Sequence, residues 1–177
     1  EGMGGSACGF LAHSVVCEQI STYDSGLRSL FNLQAMTVPY TMMEWGGEAV
    51  RKKYVRALVS GEKLGCTCFS EPNAGSDIAA IETRIEDKGG HFLINGAKTW
   101  ISNGTLADYA VVYCTYDRSR RHEGLCAVVV ETKQPGWQAH EIPQLGDRAS
   151  PIAEIFLENV VAPRENLLGA WGGGFKV

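Results

Sequence analysis

Three short stretches place side chains where they could do chemistry. The first, CFSEPNAGSD from Cys68 to Asp77, sets the hydroxyls of Ser70 and Ser76 on either side of a Pro72–Asn73 turn. Gly75 frees the backbone for a close approach, and successive N–H groups around Gly75 and Ser76 could bind an anion. The second, KTWISNG from Lys98 to Gly104, puts Trp100 two residues before Ser102. In a strand those side chains share a face, so a flat ring lies beside a hydroxyl, which suits a planar heteroaromatic ligand. The third, YDSGLRS from Tyr23 to Ser29, sets Arg28 in an otherwise apolar stretch. A guanidinium there could clamp a carboxylate bidentately.

Each stretch also has a plainer reading. The first could simply turn the chain, with Asp77 as a turn or cap residue. Trp100 could be a core residue with Ser102 at a strand end. Arg28 could pair with Asp24, one helical turn earlier. Other templates are missing: there is no GxSxG elbow, no phosphate-binding GxxxxGK loop and no HExxH helix. Gly2 to Ala7 matches GxGxxA, but no strand pattern precedes it and no βαβ unit follows, which argues against a Rossmann site. The four histidines, His13, His91, His122 and His140, lack helical metal-ligand spacing, so no metal site is indicated. The terminal GGGF reads as a flexible entry to another element.

The elements that must carry these residues fall into two parts. Through about residue 60 the periodicity is helical. Phe10, Leu11, Ser14, Val15 and Glu18 make one amphipathic face, and Val50, Tyr54, Val55, Leu58 and Val59 make another, closed by Gly61. Between them Gly26, Pro39 and the Gly46–Gly47 pair predict breaks, giving two or three shorter helices. From Lys63 the period becomes two. Ile81, Thr83 and Ile85 alternate, HFLING ends in the hairpin signal Asn95–Gly96, and YAVVYCTY, LCAVVVET and AEIFLENVVA read as strands. The fold class predicted is α+β: an N-terminal helical segment, then an antiparallel β-barrel or sandwich. Arg118, Arg120 and Arg121 fall between two strands and read as a solvated hairpin tip rather than a phosphate contact.

Composition narrows the class. The 177 residues carry a net charge of −4 and are 45% hydrophobic, with mean hydropathy of −0.08 and a pI near 5.6. Nothing here attracts nucleic acid or an anionic membrane, and no run of about 18 apolar residues exists. The six cysteines contain no CxxC and the chain is too large to need staples, so reduced thiols in a cytosol-like compartment are expected. The chain opens without an initiator methionine and stops at GGGFKV, which reads as a fragment.

Taken in order, CFSEPNAGSD, INGAKTWISNG and VAPRENLLGAWGGGFKV after a helical lead-in resemble the acyl-CoA dehydrogenase flavoprotein family. The resemblance spans essentially the whole chain and is densest from Gly61 to Asn103. It implies that residues 1–62 end an N-terminal helical domain, 63–163 form the middle β domain, and 164–177 begin a C-terminal helical bundle that is absent. It also implies an FAD-dependent oxidoreductase that removes the α-proton of an acyl thioester and passes the β-hydrogen as hydride to flavin N5.

Thr67, Cys68, Phe69, Ser70, Gly75 and Ser76 match the flavin-binding stretch. By resemblance Phe69 and Ser70 hold the ring edge, and Ser76 lies where the cofactor diphosphate and the pantetheine arm approach. Trp100, Ile101 and Ser102 match a second stretch, Trp100 packing on the isoalloxazine and Ser102 bonding near N5. Many relatives carry threonine where Ser70 and Ser102 stand, which keeps the hydroxyl and loses a methyl contact. The resemblance implies that the catalytic base is a glutamate of the C-terminal helical domain, so no catalytic residue is assigned in this chain and Glu71 is not expected to be the base. DSGLRS is similar to the glutaryl-CoA dehydrogenase branch, which makes Arg28 and Ser29 contacts for a distal substrate carboxylate. A similar segment occurs in dehydrogenases that oxidise hydroxymalonyl-type units on an acyl carrier protein, so either carrier fits. The resemblance further implies electron-transferring flavoprotein or oxygen as acceptor and a homo-oligomer at full length. The compartment is the cytoplasm, or the mitochondrial matrix if a transit peptide preceded the chain. A homologue that binds flavin or an acyl group without catalysis, and a plain β-sandwich interaction domain, are the competing classes.

Overall fold

The computed structural model describes residues 2–177. Five α-helices come first: α1 Gly9–Ser21, α2 Ser25–Asn32, α3 Val38–Trp45, α4 Glu48–Val50 and α5 Arg56–Val59. Eight strands follow: β1 Gly65–Cys68, β2 Arg84–Asp87, β3 His91–Ser102, β4 Tyr109–Thr115, β5 Leu125–Glu131, β6 Trp137–Ile142, β7 Ile152–Pro163 and β8 Leu167–Leu168. They form one sheet in the order β6-β7-β3-β2-β4-β5-β8, with β1 paired to β4. Most neighbours are antiparallel; β1 and β2 meet β4 in parallel. No described helix is long and apolar enough to cross a membrane.

The period-two pattern explains how the sheet holds two layers. On β4 and β5, Ala110, Val112, Cys114, Cys126, Val128 and Val130 face a core shared with Phe92, Ile94 and Ile155. The alternate residues Val111, Tyr113, Leu125, Ala127 and Val129 face the helices and pack on Val38, Met42, Val50, Tyr54 and Leu58. Both faces are covered, so these strands read as continuous apolar runs. Tyr54 fastens the layers together: its hydroxyl receives a hydrogen bond from Asn166 Nδ2 (2.9 Å), and Asn166 also donates to Val129 O (2.8 Å).

Three expectations are corrected by the fold. Pro39 breaks no helix. α2 and α3 run into each other through a π turn, Leu33–Thr37, whose wider winding is closed by Val38 N–H donating to Leu33 O. That turn carries the chain past the proline, which lacks a donor. Asn95–Gly96 is not a hairpin but lies inside β3, where β7 carries one extra residue between Val160 and Leu157. Asn159 takes the left-handed turn there (φ +53°) and its N–H donates to Asn95 Oδ1 at 2.8 Å. Gly96 is required because a Cβ at its φ of +153° would lie 2.6 Å from Thr83 Oγ1. Finally, the face predicted on α1 has no cover among the described residues, leaving Phe10, Leu11 and Val15 exposed. Of the second predicted stripe, Val50, Tyr54, Val55 and Leu58 are buried and Val59 is partly buried against them, and the arginine cluster lies in the exposed 3-10 segment Arg118–Gly124 between β4 and β5.

Candidate functional site

The ends of β1 and β3 meet beneath the π turn and enclose a cavity of about 270 Å³. Its walls are Thr67, Phe69 and Ser70 from the β1 side, Trp100, Ile101 and Ser102 from β3, and Leu33 and Thr37 from the helix above. Two strands bring the walls together because Thr99 N–H donates to Ser70 O at 2.9 Å.

Trp100 reaches the cavity through a distortion rather than by strand alternation. Between Lys98 and Ile101, β3 spends three steps where β7 spends two, from Ile155 to Ala153. The extra residue is a β-bulge, and Trp100 sits in it at φ +60° with 63% of its surface exposed. A bulky residue in that region costs about 1–3 kcal/mol, and bulges serve to re-aim side chains. An indole held open to solvent at such a cost is not core packing, so the core reading of Trp100 is set aside. Phe69 stacks on Tyr113, centroids 3.8 Å apart, as the floor beneath.

The hydroxyls of Thr67, Ser70 and Ser102 make no side-chain hydrogen bond among the described residues, so each is free to serve a ligand. Together with the indole and the apolar Leu33 they suit a flat, partly polar ring system.

The remaining candidates stand elsewhere. Cys68 is fully buried with its side chain in the core against Cys66, Sγ to Sγ 3.8 Å, and that side chain does not line the cavity. Gly75 and Ser76 are exposed on the loop outside it. Asp77 stands at the N-cap position of the 3-10 turn Ile78–Ala80 that follows, but its carboxylate does not cap it and instead accepts from Arg121 Nη2 at 3.0 and 2.9 Å. Arg28 and Ser29 lie on α2, one turn before Leu33, half-buried. Asp24 does not pair with Arg28; its carboxylate accepts from Leu27 N–H at 2.9 Å and caps α2. Arg28 makes no ion pair among the described residues, which leaves its guanidinium available. The same helix start is pinned to the β6–β7 loop, where a Cβ on Gly26 would lie 3.0 Å from Asp147 O and Ala149 N.

Glu71 is accounted for as well. It is buried with Lys98 in an ion pair, Nζ to Oε1 2.8 Å, and accepts from the N–H groups of Glu82 and Thr83. Burial alone would push its carboxyl up; the Lys98 ammonium and the Thr83 and Glu82 donors outweigh that and hold it below its ordinary value. Lys98, Tyr113, Leu33 and Thr37 were missed from the sequence. Only Pro39 signalled the last two, since a proline inside a helix calls for a widened turn just before it.

Helices on a mostly antiparallel sheet, with a cavity where the two layers meet, define an α+β protein. Residues 1–62 match the N-terminal domain of acyl-CoA dehydrogenases, and residues 66–160 match their middle domain. The chain belongs to the acyl-CoA dehydrogenase family, whose members are FAD-dependent flavin oxidoreductases. It is 43% identical to glutaryl-CoA dehydrogenase of Desulfococcus multivorans over 170 residues, 96% of this chain and 44% of that protein. A solved glutaryl-coenzyme A dehydrogenase in complex with glutaryl-CoA superposes with a TM-score of 0.89 at 43% identity, covering 92% of this chain and 41% of that one. The prolyl acyl carrier protein oxidase AnaB is more distant, with a TM-score of 0.84 at 31% identity, covering 87% and 41%. The chain therefore spans less than half the length of these relatives.

Proposed function

We propose that this chain is the flavin-facing part of an acyl thioester dehydrogenase whose substrate carries a free carboxylate, a glutaryl-type acyl-CoA. In this reading residues 1–62 are helical-domain sequence, 63–163 bind flavin and substrate, and 164–177 lead into a further helical domain. The observation that carries it is the convergence of Ser70, Trp100 and Ser102 on one cavity, about one helical turn from an arginine that has no acidic partner among the described residues.

At about 270 Å³ the cavity falls just below the usual range of ligand sites, about 300–1,000 Å³, and so suits one ring system rather than a whole dinucleotide. FAD held there supplies a hydride acceptor. Trp100 would cover the ring and exclude water, while Ser70 and Ser102 would donate hydrogen bonds to its polar edge and stabilise the negative charge of the reduced ring. Thr67 and Phe69 shape the same wall. Ser76, on the outer loop with Gly75, serves the diphosphate and the pantetheine arm. Arg28 and Ser29 fix the far carboxylate of the acyl chain, which orients the reacting carbons. Glu71 is committed to Lys98 and takes no proton from substrate; the base is supplied from outside residues 1–177.

The second reading, a thioester on an acyl carrier protein, is favoured by the likeness to AnaB. The electron acceptor is electron-transferring flavoprotein or oxygen, and the full-length protein is a homo-oligomer of the cytoplasm or mitochondrial matrix. The test is to incubate the full-length protein with glutaryl-CoA, butyryl-CoA and a glutaryl carrier-protein thioester, and follow enoyl thioester by mass. Faster turnover of glutaryl-CoA supports the proposal. Preference for the carrier-protein thioester moves it to the second reading, and preference for butyryl-CoA refutes the carboxylate assignment.

A further inference from the structure

Lys98 lines no part of the cavity, yet it bonds to both residues that form its floor. Its ammonium is fully buried and uses all three of its donors: Phe69 O at 3.1 Å, Glu71 Oε1 at 2.8 Å and Tyr113 O at 2.5 Å. Two of those acceptors belong to the residues whose rings stack as the cavity floor. The third, Glu71, is held by the N–H groups of Glu82 and Thr83. One charge thus joins the segment after β1, the residues just before β2, the strand β3 and the strand β4. The next residue, Thr99, bonds Ser70 O, and the one after that is Trp100 in its bulge.

A sheet of this kind does not need that charge for packing. A buried pair can often be exchanged for neutral groups of similar size with little change in stability, so a lysine kept here calls for another reason. Apolar contacts are non-directional, whereas three hydrogen bonds from one ammonium set the mutual position of two carbonyls to within a few tenths of an ångström. We propose that Lys98 is a positioning residue for the flavin site. It fixes the Phe69–Ser70 wall against the Trp100–Ser102 wall, and Glu71 is its counter-charge. The proposal rests on the flavin reading of the cavity.

The test uses full-length Lys98→Met and the charge-free double variant Lys98→Met/Glu71→Gln. Three quantities are measured: the melting temperature without flavin, the FAD dissociation constant, and hydrogen exchange of the Thr99 amide in the absence of flavin. In the double variant we expect melting within a few degrees of the parent. FAD affinity falls roughly 10- to 100-fold, the range typical of lost outer supports of a site, and Thr99 exchanges faster while the β4–β5 amides do not. Unchanged Thr99 exchange and unchanged FAD affinity would overturn the proposal. So would faster exchange spread evenly over the sheet with a matching loss of melting temperature, which marks a purely structural role. If the parent takes up no FAD, the flavin reading fails by itself, and Thr99 exchange still decides whether Lys98 joins the two walls.

Discussion

Arg28 offers the sharpest perturbation of substrate choice. Asp24 is occupied as the cap of α2, so the guanidinium has no carboxylate to neutralise it among the described residues. At 4 Å and an effective dielectric of about 20, a charge pair gains about 4 kcal/mol before desolvation. Truncating one partner of a buried pair costs about 2–5 kcal/mol, and the half-exposure of Arg28 puts it in the lower part, about 2–3 kcal/mol. That corresponds to a loss of roughly 30- to 150-fold in kcat/KM for a carboxylated acyl thioester in Arg28→Ala. The helix itself tolerates the change, since alanine is the best helix former. A plain acyl thioester of equal length should lose less than about twofold, because it has no charge to lose. The assay is steady-state turnover of matched carboxylated and plain substrates by parent and variant. An equal loss on both substrates, or no loss on either, refutes the reasoning.

Three further outcomes follow from the scaffold. Gly96→Ala forces a Cβ onto Thr83 at a backbone angle that side chains avoid, and should cost about 3 kcal/mol or more, read from the urea midpoint. Asp24→Ala removes the cap of α2 and should cost about 1 kcal/mol while raising KM for the carboxylated substrate, because Arg28 rides on that helix. Glu71 is held below its ordinary value in the folded state, so its contribution is full above the ordinary carboxylate range and vanishes as pH falls through the folded value. Urea midpoints should therefore decline below about pH 4. Glu71→Gln should be less stable at neutral pH, with Lys98 left unpaired, and should show a flatter acid slope.

How far the sequence disclosed this depends on which force set each feature. Burial patterns were readable: the Val50–Leu58 stripe and the β4 and β5 runs follow directly from apolar spacing. Of the nine residues that the family resemblance pointed to in two short stretches, Thr67, Phe69, Ser70, Trp100, Ile101 and Ser102 line the cavity, whereas Cys68, Gly75 and Ser76 do not. Geometry set by long-range pairing was not readable. Asn95–Gly96 has the composition of a turn, but the close approach of Thr83 needed the same glycine inside a strand. Lys98 and Glu71 are 27 residues apart, and nothing local marks either as buried. The bulge at Trp100 arises from a one-residue mismatch between β3 and β7, which neither strand shows alone. Strand alternation was thus the wrong reason for grouping Trp100 with Ser102; the distorted backbone brings both to the cavity.

The central claim is that this cavity receives the ring of FAD. The direct measurement is a titration of the full-length protein, stripped of any bound cofactor, with FAD while following tryptophan fluorescence and the visible flavin bands. The account predicts stoichiometric uptake, a structured bound-flavin spectrum, and quenching that is largely lost in Trp100→Leu. A colourless protein that takes up no added FAD, or one whose uptake leaves Trp100 unquenched, would contradict it.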